Sequence, residues 1–169
     1  CDCLAMLFGD PGAGKSLVAL DMAASVASGI EWHGHTTKGG DVLYVAAEGI
    51  SGQKSRLAAW ERAYGLRANR LTFVAGAVDF MMAEDITDLL ADIAELRPVL
   101  IVVDTLARSM PGGDENHQRD MGLLIESAER LREATGACVL FVHHTNRAGS
   151  YRGSSALLGA VSTSIEVSK

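Results

Sequence analysis

Short apolar runs alternate with segments of helical periodicity along the whole sequence. The runs lie at residues 3–8, 41–48, 71–76, 99–105, 137–144 and 162–168. Most are apolar throughout, as strands buried on both faces are. The segments between them carry apolar residues at the 3.6-residue period, as Met121, Leu124 and Ile125 do. This alternation predicts a three-layer α/β fold, in which helices cover both faces of a mostly parallel sheet. Ligands bind such a sheet at the carboxyl ends of its strands.

Length and composition fit one compact domain, residues 1–169. The chain is 48% apolar and 21% charged, which is enough apolar material for a core and argues against disorder. No apolar run reaches the roughly 20 residues of a membrane span, and no signal peptide is recognisable. Three cysteines cannot build a disulfide framework, so we expect a reduced protein in the cytoplasm. The chain opens on the first run and closes on the sixth, as expected of a core trimmed from a longer protein.

The net charge of the chain excludes one class of binding surface. The net charge of -6 argues against a whole surface that binds nucleic acid. The charge is uneven, since residues 52–70 hold five cations and one acid, whereas residues 79–95 hold six acids and no cation. Helices with one solvated face explain most such runs. The composition therefore excludes a generally basic nucleic-acid-binding surface.

A glycine-rich loop, GDPGAGKS, follows the first predicted strand. Gly9, Gly14, Lys15 and Ser16 match the pattern GxxxxGK[ST], and an apolar helix over about residues 15–28 comes next. Glycines allow backbone N–H groups to turn around a phosphate, and the start of the helix presents its positive end. Lys15 adds a mobile charge for the outer phosphates, and Ser16 would hold a magnesium ion. A plain strand-to-helix turn is the alternative. The loop predicts a nucleoside triphosphate site formed by Gly9, Asp10, Pro11, Gly12, Ala13, Gly14, Lys15, Ser16 and Leu17.

Acidic and polar side chains end three other predicted strands. Asp104 ends the fourth strand, where a Walker B carboxylate would orient the water shell of the magnesium ion; a turn or cap residue is the alternative. Glu48 closes the second strand and could deprotonate the water that attacks the terminal phosphate, or it could be a solvated loop acid. The fifth strand ends in His143 and His144, which could sense that phosphate, pack in the core or bind a metal. The position of Glu48 favours hydrolysis over phosphate transfer.

These elements, in this order, resemble the RecA-like ATPases. The stretches DTLARSMPGGDENHQRDM, VHHTNRAG and RGSSALLGA are similar to those of RepA-type hexameric helicases and their plasmid or phage relatives. The resemblance implies a RecA-like P-loop NTPase fold, ATP and Mg²⁺ as ligands, and a homo-oligomeric ring, a hexamer, on single-stranded DNA. It implies that Glu48 is the catalytic glutamate and Asp104 the Walker B aspartate. It also implies a catalytic role for Lys15, and makes His144, rather than His143, the sensor.

The same resemblance implies two DNA-contacting loops, at residues 106–116 and 145–153. The second loop contains Arg147 and Arg152 and no acid, so it suits phosphate contact, although surface loops often have this composition. The first loop has two acids beside one arginine and is the weaker candidate. Rings of this kind complete each site with an arginine finger from the neighbouring subunit, near the last strand. That position falls near Lys169, and Arg152 is the nearest arginine, so the finger stays unassigned.

The sequence therefore predicts an ATP-hydrolysing motor and DNA helicase that assembles head to tail into a ring. A P-loop kinase, the second class considered, would need an arginine-rich lid, whereas residues 79–95 are acidic. The third class, a RecA-like regulatory switch without translocation, would lack DNA-stimulated turnover. We interpret His33 and His35 as parts of a surface turn rather than a metal pair. Cys1 and Cys3 are interpreted as small apolar residues.

Overall fold

The computed structural model describes residues 2–47, 50–76, 78–144 and 155–168. The strands are β1 (Cys3–Gly9), β2 (Asp41–Ala46), β3 (Leu71–Ala75), β4 (Pro98–Asp104), β5 (Cys138–His144) and β6 (Thr163–Val167). The helices are α1 (Lys15–Ser28), α2 (Ile50–Tyr64), α3 (Ala83–Asp92), α4 (Gln118–Thr135) and α5 (Ser155–Ala160), and a 3₁₀ helix spans Leu106–Ser109. All six predicted strands are present, whereas α5 and the 3₁₀ helix were not predicted.

One six-stranded sheet, in the order β3-β2-β4-β5-β1-β6, forms the middle layer. Every pair of neighbouring strands in it is parallel, so the carboxyl ends of all six strands lie along one edge. At that edge Gly9 lies opposite His144, and Asp104 lies opposite Ala46 and Val142. The register brings the ends of β1, β5, β4 and β2 side by side. The predicted α/β fold with a parallel sheet is confirmed.

Successive residues of each central strand pack into two different cores. One core joins the sheet to α1 and α2, and the other joins it to α3, α4 and α5. The first contains Leu7, Tyr44, Val102 and Val142, and the second contains Met6, Leu43, Val103 and Phe141. Because both faces are covered, these strands need apolar residues at every position, which is the pattern seen in the sequence.

Helix α1 is bounded by glycine on both sides. Gly14 precedes it with φ of +94°, and Gly29 follows it with φ of +67°, both in the left-handed region that favours glycine. Its buried face consists largely of alanine, including Ala19, Ala23 and Ala24. Small side chains let the helix lie close to the sheet, and its first turn lies at the carboxyl edge because α1 begins soon after the end of β1.

Of the helices within the described ranges, none combines the length and the apolar character that crossing a lipid bilayer requires.

Candidate active site

The glycine-rich loop connects the end of β1 to the start of α1. Gly12 and Gly14 have φ values of +76° and +94°, which a residue with a Cβ adopts only under strain. Gly9 has no room for a side chain either, because an added Cβ would lie 2.1 Å from the Val167 carbonyl oxygen on β6. The glycines are therefore required by the backbone path of the loop and by its contact with the neighbouring strand.

The Lys15 ammonium lies inside this loop. Its Nζ donates hydrogen bonds to the carbonyl oxygens of Gly9, at 2.9 Å, and Asp10, at 2.8 Å. The residue is 4% exposed, while Asp10 and Pro11 on the outside of the loop are exposed. The first turn of α1 also begins here, and Gly14 provides no side chain that could cap its N–H groups. A buried cation and a helix start thus meet at one point, which is an arrangement that attracts phosphate.

Ser16 joins the loop to the end of β4. Its Oγ donates a hydrogen bond to Oδ1 of Asp104 at 3.0 Å, although the two residues are 88 positions apart. Asp104 is 3% exposed. A hydroxyl oxygen and a carboxylate oxygen are metal ligands of the kind that Mg²⁺ prefers. The two residues predicted to hold the metal are therefore in direct contact.

The other oxygen of Asp104 accepts two hydrogen bonds from residues that the sequence analysis missed. The Tyr44 hydroxyl donates to Oδ2 at 2.7 Å, and the Gln53 amide donates to it at 3.1 Å. Burial, and then the negative charge of Asp104, raise the pKa of Tyr44 well above its usual value, so its hydroxyl stays protonated and donating. These donors, together with Ser16, fix the orientation of the carboxylate.

A pocket of about 320 Å³ opens beside the loop. It is lined by residues of the loop and the start of α1, between Gly12 and Leu17, and by Thr105, His144 and Arg56. His144 is half-buried, whereas His143 is 1% exposed and turns away, with its Nδ1 3.9 Å from Oε2 of Glu115. Of the two histidines, His144 is the one that reaches the pocket.

The first predicted DNA loop, residues 106–116, contains the 3₁₀ helix. Arg108 is exposed. Both acids of the loop, Asp114 and Glu115, lie close to polar side chains of the protein. Glu115 is 8% exposed and lies near His143, while hydrogen bonds from the backbone and side chain of Asn116 lower the pKa of Asp114. Glu115 therefore adds less negative charge to the surface of this loop than the sequence suggests.

Four predicted site residues, Glu48, Arg147, Arg152 and Lys169, lie outside the described residues. The second predicted DNA loop, residues 145–153, lies outside them as well.

His33, in the 32–35 turn, belongs to a cluster of side chains around Asp21. Asp21 on α1 accepts hydrogen bonds from the Trp32 and Trp60 indoles at 2.8 and 2.7 Å, and it lies 2.9 Å from Nε2 of His33. This cluster ties the turn and α2 to α1. Within the described ranges no group of three or more histidine, cysteine or acidic residues could hold a metal ion.

The fold, the glycine-rich loop and the carboxylate at the end of β4 together define a RecA-like P-loop ATPase. The model of the AAA domain family (AAA_25) matches residues 2–150, and the chain belongs to this family. The chain is also 27% identical, over 160 residues, to the DNA repair protein RadA of Brucella abortus (strain 2308). That alignment covers 88% of this chain and 29% of RadA, so the chain spans less than a third of its relative.

Proposed function

We propose that the pocket binds ATP with Mg²⁺ and hydrolyses it, and that the chain is the motor of a RepA-type DNA helicase. The observation that carries the proposal is the 3.0 Å hydrogen bond between Ser16 and Asp104. It joins the phosphate-binding loop to the buried carboxyl group at the end of β4. Phosphates and a metal ion can thus be held at one place.

The loop from Gly9 to Leu17 is proposed to bind the phosphates. Its backbone N–H groups and the start of α1 attract the phosphates, and the Lys15 ammonium neutralises the outermost of them. Because Lys15 is already fixed by two carbonyl oxygens, little side-chain entropy remains to be lost when it exchanges these partners for phosphate oxygens.

Ser16 and Asp104 are proposed to hold the metal, Ser16 by direct coordination and Asp104 through the water shell. When bound, Mg²⁺ would neutralise charge on the β- and γ-phosphates. Tyr44 and Gln53 keep the Asp104 carboxylate turned toward Ser16, since both donate to its other oxygen.

Glu48 is proposed as the general base. It would take a proton from the attacking water, whose oxygen bonds to the γ-phosphorus while the bond to the β–γ bridging oxygen breaks. Replacing Glu48 with Gln should preserve ATP binding and abolish hydrolysis. Normal hydrolysis by this variant would refute the proposed base. His144, at the pocket wall, would then report loss of the phosphate to the loop that follows it.

DNA is the proposed partner, and the similarity to a protein named for DNA repair supports it. Arg147 and Arg152 would contact DNA phosphates from residues 145–153, and residues 106–116 would form the second contact. A homo-hexameric ring would place these loops around single-stranded DNA. In such a ring, a neighbouring subunit could complete each site with Arg152 or Lys169 as the trans cation.

The test is ATP hydrolysis by the purified chain over a range of protein concentrations, with and without single-stranded DNA. A rate per subunit that rises with protein concentration, and again with DNA, is expected of a ring motor. Hydrolysis that is indifferent to both would favour the regulatory switch instead. Phosphate transfer to a small molecule without release of inorganic phosphate would favour a kinase.

Loop variants separate the two roles proposed for the arginines. Arg147→Ala should weaken DNA binding, flatten its dependence on salt and leave DNA-free hydrolysis unchanged. Arg152→Ala should do the same if it only contacts DNA. Loss of DNA-free hydrolysis in Arg152→Ala, at concentrations where the ring forms, would instead assign it as the finger.

A further inference from the structure

Helix α2 presents two polar side chains to the nucleotide pocket. Gln53 and Arg56 are three residues apart, so they lie on the same side of the helix. Gln53 is 6% exposed and donates to Asp104, which fixes this face of α2 against the end of β4. Arg56, one turn later, lines the same pocket as the phosphate loop.

The environment of Arg56 differs from that of Arg67 and Arg70, two other arginines of the basic segment 52–70. Arg67 is paired with Glu61 at 2.7 Å, and Arg70 with Asp41 at 2.8 Å. Within the described parts of the chain, no acid is paired with Arg56 in this way. The positive charge of Arg56 is felt at Tyr44 beside Asp104. It lowers the pKa of Tyr44, although burial and Asp104 raise that pKa by more.

The pocket walls define where a terminal phosphate can lie. With the α- and β-phosphates on the loop and the start of α1, the γ-phosphate would extend into the same pocket, which Arg56, Thr105 and His144 also line. Lys15 lines this pocket from α1, and Arg56 lines it from α2. Two cations from two helices therefore converge on it.

We propose that Arg56 is a catalytic residue that contacts the γ-phosphate in cis, from the same chain that binds the ATP. This inference rests on the proposed ATPase function. During hydrolysis the water oxygen bonds to the γ-phosphorus, the bond to the bridging oxygen breaks with its electron pair going to ADP, and a water proton passes to the base. Negative charge is spread over the γ-phosphate oxygens and the leaving oxygen. A planar guanidinium can donate two parallel hydrogen bonds to such oxygens, which a lysine cannot do.

An arginine in cis would give each subunit hydrolysis that does not depend on a neighbour. The trans finger of the proposed ring would then increase a rate that already exists. Arg56 also follows Gln53 by one turn, so movement of α2 would change the positions of both the metal-orienting amide and the phosphate-contacting guanidinium.

The first experiment compares Arg56→Gln with wild type and with Arg62→Gln. Arg62 is a matched control, because it is exposed on the same helix but lines a different hollow, with Glu61 and Arg67. At saturating Mg-ATP, Arg56→Gln should lower kcat about 100-fold or more, the size of effect seen when one transition-state donor is removed. Its affinity for a fluorescent ADP analogue should stay within about threefold of wild type, since ADP lacks the γ-phosphate. Arg62→Gln should match wild type in both measurements.

A conservative variant tests the geometry. Arg56→Lys keeps the charge but not the fork, so its kcat should fall between those of Arg56→Gln and wild type. A kcat for Arg56→Gln within threefold of wild type would overturn the inference. So would an equal loss of ADP and ATP affinity with kcat unchanged, which would mean that Arg56 contributes only uniform binding.

Mixed subunits distinguish cis from trans action. Lys15→Ala subunits have no working phosphate loop but keep Arg56, so they could supply a guanidinium only to a neighbour. Adding them to Arg56→Gln subunits should leave the hydrolysis rate unrestored. Restoration would overturn action in cis. Absence of hydrolysis in wild type would refute the proposed function itself, whereas normal wild-type hydrolysis with an unaffected Arg56→Gln would refute this inference alone.

Discussion

Replacing Tyr44 with Phe should destabilise the protein by a predictable amount. The substitution removes one hydroxyl, which is buried and donates to Asp104 at 2.7 Å. The ring stays in its packing against Phe73, whose centroid is 5.4 Å away, so no cavity opens. A hydrogen bond to a charged group contributes about 1.5 to 3 kcal/mol. For a chain of this size each kcal/mol shifts Tm by roughly 2 to 4 °C, so Tm should fall by about 3 to 12 °C.

The assay is thermal unfolding followed by circular dichroism, with Tyr64→Phe as the matched control. Tyr64 loses the same atom but is 47% exposed, and its hydroxyl lies 3.4 Å from Asp21, so its Tm should change by less than about 2 °C. The difference between the variants should be the same at pH 6 and pH 9. The folded pKa of Tyr44 lies above the unfolded value, so its contribution is complete below about pH 10 and is lost only as the pH rises further. Equal Tm values for Tyr44→Phe and wild type would refute the assigned hydrogen bond.

Three other substitutions or reactions test separate parts of the structure. Gly9→Ala places a Cβ 2.1 Å from the Val167 carbonyl oxygen, so it should lower the free energy of unfolding by about 3 kcal/mol or more in urea titrations; unchanged stability would contradict the close approach of β1 and β6. Asp21→Asn turns an amide N–H toward an indole donor, and should cost about 1 to 3 kcal/mol in urea unfolding followed by the fluorescence of Trp32 and Trp60; unchanged stability would contradict the cluster around Asp21. Burial raises the pKa of the Cys138 thiol to about 12, so its alkylation by iodoacetamide, measured on its tryptic peptide, should be slow at pH 8 and accelerate up to about pH 12; fast reaction at pH 8 would show an accessible thiolate.

The layers of the fold could be predicted because their causes are local. A strand buried on both faces must be apolar along its buried length, as β1 is throughout, β4 is before Asp104 and β5 is before His143. The limits of α1 were predictable from Gly14 and Gly29, whose positive φ values end helical geometry. Helix α5 was missed because six residues of small and apolar character show too little periodicity to be recognised.

The candidate site was only partly predictable. The glycine-rich loop and Asp104 stand out because a short pattern or a strand end identifies them. Tyr44 lies inside an apolar strand, where no local pattern distinguishes it from a core residue, although its hydroxyl donates to Asp104 across 60 positions of sequence. Gln53 and Arg56 reach the site only through the packing of α2 on α1, which no local pattern encodes. Gln53 and Arg56 are three residues apart on the helix that follows Glu48. This spacing, which places both side chains on one side of the helix, is the one sequence signal that could have indicated their role.

Release of inorganic phosphate from Mg-ATP by the purified wild-type chain, beside Lys15→Ala, tests the central claim most directly. We expect hydrolysis by wild type and a loss of about 100-fold or more in Lys15→Ala, because the buried ammonium is removed from the phosphate loop. Equal rates in the two proteins, or no ATP binding and no hydrolysis by wild type, would contradict the account.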